Sequence, residues 1–145
     1  MTIVENEIAI AAPVETVWAL TLDLERWPAI SPTMTSVERL DQGPLAVGSR
    51  ARVKQPAQRA RVWTVTRLEP YHYEWEATLG PIRMRGGHHV TPVASGCLNR
   101  LTLDLEGFGS HLFGRVAGRS LAKALQQENE GFKQAAEADA DRPTP

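Results

Sequence analysis

The stretch from Ile8 to Asp41, IAIAAPVETVWALTLDLERWPAISPTMTSVERLD, decides how this chain is read. Its first residues finish a strand in which Val4, Ile8 and Ile10 alternate with Glu5, Glu7 and Ala9, giving a core face and a wet face. Ala12-Pro13 then breaks the strand. Proline suits the first helical position, because its missing N–H would be unpaired there anyway. Val14, Val17, Trp18 and Thr21 follow at helical spacing. Trp27-Pro28 ends a second short helix, since the residue before a proline avoids the helical region. Ser31-Pro32 prolongs the break into a loop that carries Met34.

Beyond this stretch the pattern turns to strands. Thr35 to Asp41, Ser49 to Gln55, Arg61 to Leu68, Tyr71 to Leu79, Ile82 to Pro92 and Cys97 to Glu106 are separated by short connections. Gly or Pro stands at most of these boundaries, which favours an antiparallel meander. A long amphipathic helix, about Ser110 to Ala138, closes the chain. Phe113, Val116, Ala117, Leu121, Ala124, Leu125, Phe132 and Ala135 form its apolar stripe, and Ser110 is placed to cap it. The expected architecture is α+β: a curved antiparallel sheet of about seven strands gripping a long C-terminal helix, with two short helices after strand one. Residues 1–138 make one domain, and 139–145 form an acidic, proline-bearing tail expected to be disordered.

The chain has 145 residues, with 16 Lys+Arg against 17 Asp+Glu, a net charge of -1. That balance argues against DNA as a partner, because phosphate binding needs an excess of positive charge. A single cysteine, Cys97, excludes an intramolecular disulfide. No secretory leader and no membrane-spanning apolar run is visible, so a cytoplasmic protein is expected.

These elements resemble the helix-grip fold of the START/SRPBCC superfamily, and most of all its polyketide cyclase/dehydrase and lipid-transport branch. The resemblance rests on Ala12-Pro13-Val14-Glu15-Thr16-Val17-Trp18 opening the first helix, and on Asp23, Trp27-Pro28 and Ser31-Pro32 after it. Gly48 before the third strand, His88 to Pro92, and Gly107, Gly114 and Gly131 around the last helix complete it. It covers about residues 3–138. It implies a shared cavity rather than a shared reaction.

Several residues are candidates for chemistry. Tyr71, Tyr73, Trp75 and Ala77 share one strand face; they either line a ligand cavity or pack against the final helix. Met84, His88 and Val90 share an inward parity. The glycines at 86 and 87 suggest a bulge that could flip the parity of the residues after it. An inward His88 is a general acid or base, or else a hydrogen-bonded rim histidine. His88 and His89 point to opposite faces and do not chelate one metal, so no metal site and no cofactor are expected. Asp23 is read as a cap or an arginine anchor. Arg50, Arg52, Lys54, Arg59, Arg61 and Arg67 form either a basic face for a partner or a surface laced with Glu38, Glu74 and Glu76. Neither face of Arg61–Leu68 is clearly apolar, so that strand cannot be oriented from sequence.

The expected ligand-binding set is Met34, Tyr73, Trp75, Met84, His88, Leu101, Leu103, Phe108, Leu112, Phe113 and Val116. The first half of the last helix is expected nearest the cavity, through Gly114 and Gly118. The leading reading is a protein that holds a small hydrophobic or amphipathic, lipid- or polyketide-like molecule. The alternative is a cyclase or dehydratase, of lyase or isomerase type, with His88 and Tyr73 as its catalytic candidates. A third reading is a quinone-binding or ribosome-associated accessory module. Homodimerisation is left open.

Overall fold

The structure, a computed structural model, describes residues 2–141. Seven strands form one antiparallel sheet: β1 (Thr2–Ile10), β2 (Ser36–Arg39), β3 (Arg50–Lys54), β4 (Arg61–Glu69), β5 (His72–Leu79), β6 (Ile82–Val93) and β7 (Gly96–Glu106). Their order is β1-β7-β6-β5-β4-β3-β2. Consecutive strands from β2 to β7 pair as a meander, and β1 closes on β7. Strands β1 and β2 therefore lie on opposite edges. The segment between them must cross the sheet, and it does so as α1 (Val14–Leu22), a 3-10 turn (Leu24–Arg26) and α2 (Trp27–Ile30). Helix α3 (Ser110–Ala140) packs on β1, β7 and this helical pair. The arrangement is the expected helix grip.

The local details differ from the sequence reading in instructive places. Pro13 caps α1 rather than starting it, and Pro28 sits in the first turn of α2 instead of ending a helix. Proline lacks only a donor that a first turn leaves free, so it begins helices more readily than it stops them. Gly109, in the left-handed region at φ 83, takes the cap position of α3 in place of Ser110. Gly86 and Gly87 pair in unbroken register with Trp75 and Glu74, so there is no bulge there. The bulge lies in β4, between Val65 and Arg67. It explains why that strand has no readable parity: Trp63 and Val65 point inward before it, and half-buried Leu68 packs against the core after it. Asp139 and Ala140, expected in the tail, belong to α3, and Asp139 accepts two hydrogen bonds from Arg26 at 2.8 and 3.1 Å. Residues 142–145 of that tail lie outside the described residues.

The convex face is laced with charge. Arg52 pairs with Glu38 at 3.3 Å, Arg67 with Glu74 at 3.3 Å and Arg50 with Asp41 at 3.8 Å. Arg85–Glu76 and Arg100–Glu5 continue the pattern at 2.8 and 2.6 Å. Exposed pairs of this kind contribute about 0–1 kcal/mol each, so they fix strand register and solvation more than stability. The side chain of Asp23 makes no capping hydrogen bond.

What holds α3 to the sheet is apolar burial and one amide cluster. Phe132 and Ala136 are buried in the core. Asn129, fully buried, accepts a hydrogen bond from Asn99 Nδ2 at 2.9 Å, and its own amide nitrogen lies 2.9 Å from Asn6 Oδ1. Gly131 lets the helix touch α2: a Cβ there would stand 2.2 Å from the Ile30 carbonyl oxygen. Gly131→Ala is therefore expected to destabilise the fold by about 2 kcal/mol or more, as over-packing against immobile backbone does. Urea unfolding of the variant against wild type measures it, and a change below about 0.5 kcal/mol would show that the helix can step aside.

Candidate functional site

Between the sheet and the middle of α3 lies a cavity of about 200 Å³. The curvature of the sheet makes room for it, and small residues keep the room open. Gly86 occupies an inward position of β6, where a Cβ would come within 2.9 Å of the Trp75 indole nitrogen. With no side chain there, Trp75 lies across the strand and meets Trp63, ring centroids 5.1 Å apart at 32°. These two indoles, with Met34, Val53, Leu79, Met84, Leu101, Leu103, Phe113, Leu121, Ala124 and Leu125, form apolar walls. Gln55, Gln58 and Ser120 also line it; Gln58 and Ser120 are exposed and so belong to its mouth.

Two ionisable groups face this apolar interior. His88 Nε2 stands 3.5 Å from Glu128 Oε1, and both residues line the cavity. Burial strips water from each and disfavours its charged form. The imidazole is pushed down to about 3, and the Glu128 carboxyl is pushed up to about 7. Around neutral pH the histidine is thus neutral and the carboxyl close to half protonated. His88 packs against Trp27 at 5.0 Å and Phe132 at 5.5 Å between ring centroids, and its Nδ1 has no hydrogen-bond partner among the described residues. Tyr73 sits behind this pair, fully buried and outside the cavity lining, its hydroxyl also unpartnered among them. Burial, then the nearby Glu128 carboxylate, pushes that hydroxyl well above its usual range.

Of the expected ligand set, the fold brings Met34, Trp75, Met84, His88, Leu101, Leu103 and Phe113 together around the cavity. Phe108, Leu112 and Val116 are placed elsewhere, 88%, 68% and 78% exposed. Phe108 stands in the turn before α3, and the helix turns Leu112 and Val116 outward, so Val116 does not belong to the buried stripe. The cavity also sits further along α3 than expected: apart from Phe113, its helix lining runs from Ser120 to Glu128. Sequence reasoning misses Glu128 and Trp63. Glu128 has a readable signal, an acid at helical spacing from Leu121, Ala124 and Leu125 on the inward face. Trp63 has none, because the bulge in β4 hides its parity.

Comparison with known proteins fits this geometry. The sequence model of the family described as polyketide cyclase/dehydrase and lipid transport matches residues 1–137. The chain belongs to this family. A Streptomyces cyaneus protein named "putative polyketide cyclase" is 43% identical over 60 residues, covering 41% of this chain and 39% of that protein. One of the same name from Streptomyces halstedii is 40% identical over 63 residues, covering 41% of this chain and 54% of that protein. The alignments thus span about half or less of these relatives. Among solved structures, a Thermus thermophilus protein superposes with a TM-score of 0.77 at 20% identity, over 97% of this chain and 100% of its own. The Zhui aromatase/cyclase of a Streptomyces species gives 0.69 at 21% identity, over 97% and 94%. One half of the di-domain aromatase/cyclase BexL gives 0.74 at 20% identity, over 98% of this chain and 48% of that one. Likenesses at such identity establish the shared helix-grip fold.

The two shifted groups make opposite demands on stability. The native state of this family member holds the Glu128 proton up to about 7, whereas the free carboxyl releases it near 4.5. Native protein then binds more protons than unfolded chain, and stability falls as pH rises through that window. His88 loses its proton at about 3 in the native state against 6.5 in the free side chain, so its contribution rises with pH between those values. The two offset each other where they overlap. Glu128→Gln removes only the falling arm, so the variant's unfolding free energy should gain on wild type steadily from about pH 4.5 to 7. Urea titrations across that range test it; a difference that does not vary with pH would mean that the carboxyl is not desolvated.

Proposed function

We propose that this protein binds a small apolar or amphipathic molecule in the cavity between the sheet and α3. The observation that carries the reading is the pair of indoles in contact, Trp63 and Trp75, walling an interior space that Gly86 keeps open. Aromatic walls supply large apolar contact area, and a few placed polar groups orient what lies between them. About 200 Å³ is below the ~300 Å³ where drug-sized pockets begin, so the fit is to one or two rings or a short acyl stretch. Among the described residues no lysine or arginine lines the space, so a buried carboxylate or phosphate on the ligand would find no counter-charge. The reading therefore favours a neutral buried portion, polyketide-like rather than a free fatty acid head. Filling the space should weaken binding: Leu103→Trp is expected to lower the affinity for a neutral bicyclic phenol at least tenfold while circular dichroism stays unchanged. Quenching of Trp63 and Trp75 fluorescence reads the binding. Absence of saturable quenching by neutral phenols, ketones and short acyl chains alike would overturn the proposal.

A second reading is favoured by one observation, the His88–Glu128 pair in the cavity wall. In a cyclase or dehydratase, a base takes a proton from a carbon beside a carbonyl. The resulting enolate attacks a second carbonyl carbon, and the alkoxide formed accepts that proton; dehydration then takes a second proton from the adjacent carbon and gives one to the departing hydroxyl, which leaves as water. A neutral imidazole and a carboxyl titrating near 7 suit those transfers at neutral pH. A binding site that holds a flexible chain folded supplies the remaining effect through orientation. On this reading His88→Gln and Glu128→Gln lower turnover of a poly-β-keto substrate by about 10²–10⁴-fold while its affinity changes little. Turnover indifferent to both substitutions would leave the protein a carrier.

A further inference from the structure

The outward face of the first half of α3 carries an unusual mixture. Phe108, Leu112 and Val116 are exposed, and so are Arg115, Arg119 and Lys123. At ~100° per residue the five helical positions fall within one outward sector roughly 100° wide, opposite the face that meets the sheet, and exposed Phe108 stands in the turn that precedes the helix. Most cations on the sheet are paired, as Arg50, Arg52, Arg67, Arg83, Arg85 and Arg100 show. Arg115, Arg119 and Lys123 form no ion pair among the described residues. The sequence explains why: no Asp or Glu occurs between Glu106 and Glu128. A chain with a net charge of -1 thus concentrates unneutralised positive charge on one helix face, beside three large apolar side chains.

Exposed single apolar residues are ordinary, but apolar knobs set among free cations and aligned on one helix face are the pattern of a helix that lies in a lipid interface. We propose that this face docks on an anionic phospholipid surface, with Phe108, Leu112 and Val116 entering the acyl boundary and Arg115, Arg119 and Lys123 meeting the phosphates. Charge chooses this occupant over a second copy of the chain. A two-fold dimer through the same face would bring its three cations against three identical ones. Shape chooses lipid over a protein: the face is the convex side of a lone helix, and its knobs need a deformable medium rather than a matching set of pockets. The same row of positions leads from Val116 to Ser120 at the cavity mouth, so the docked protein would present that mouth toward the bilayer. The docking itself does not depend on what the cavity holds.

Flotation with vesicles tests it. Wild type should float with vesicles of phosphatidylglycerol and phosphatidylcholine, stay behind with phosphatidylcholine alone, and be released at about 1 M salt, where charges are screened beyond about 3 Å. The exposed double variants Leu112→Asp/Val116→Asp and Arg115→Glu/Arg119→Glu should each lower partitioning about tenfold or more, with unchanged circular dichroism and melting. Failure of wild type to bind anionic vesicles would overturn the proposal. So would binding that both variants retain, or a dimer in light scattering that Leu112→Asp dissociates. Retention on a polyglutamate matrix as strong as on vesicles, and indifferent to Leu112→Asp, would reduce the face to a general polyanion patch and equally overturn it.

Discussion

The interior of this protein is organised around one indole. Trp27 is buried at the start of α2, and its ring meets Tyr73 and Trp75 of β5, His88 of β6 and Phe132 of α3, with centroids 5.0 to 6.3 Å apart. Its N–H donates to the Leu20 carbonyl at 3.0 Å, so the large apolar ring is buried with no unsatisfied polar atom. Sheet, helical pair and long helix therefore share a single contact. The cavity begins where the influence of that ring ends. Trp75 bridges the two regions, touching Trp27 on one side and Trp63 on the other.

This keystone also explains how His88 and Glu128 come to be so far from their usual ionisation ranges. They sit at the boundary between solid core and open cavity, with aromatic packing behind and empty space in front. Burial among these side chains is what disfavours the charged form of each. The nearby Asn6–Asn99–Asn129 cluster shows a different solution, in which amide side chains hydrogen-bond to each other and fix a helix, with only Asn99 Oδ1 left without a partner among the described residues. One polar group of buried residues locks the architecture, while the other is left underused by the fold. Shifted groups in a cavity wall, one of them with an unpartnered nitrogen, mark candidates for function rather than for stability.

Much of this is legible in the sequence, because it rests on periodicity and punctuation. The strand boundaries, the helical pair and the long helix follow from alternation, helical spacing and turn residues, and they place Trp75, Met84, His88, Leu101 and Leu103 on the correct face. The failures have physical causes. An outward Leu112 or Val116 looks like core to any rule that equates apolar with inside, whereas a charge row on the same face is the evidence against it. A bulge such as that between Val65 and Arg67 removes the regularity on which parity depends. Paired glycines prove to be a packing device under Trp75 and Thr102 rather than a break in register. Glu128 is the hardest residue to credit, because burying a carboxylic acid in an apolar stripe contradicts what usually makes a helix amphipathic.

Helix α3 is buried at its start, at Ser110 and Gly114, and again from Glu128 to Ala136, yet no residue between Arg115 and Gln127 is fully buried. The helix is in effect a beam held at both ends, with a half-buried span of about 20 Å over the cavity that touches the core through Leu121. An α-helix can carry such a span because its backbone hydrogen bonds run along its own axis and need no neighbour beneath. A strand in the same place would need a partner and would close the space. The roof can therefore be remodelled one side chain at a time, at positions such as Leu121 or Ala124, without disturbing any pairing in the sheet. A single scaffold can in this way change the shape of its chamber while its supports, and so its fold, stay the same.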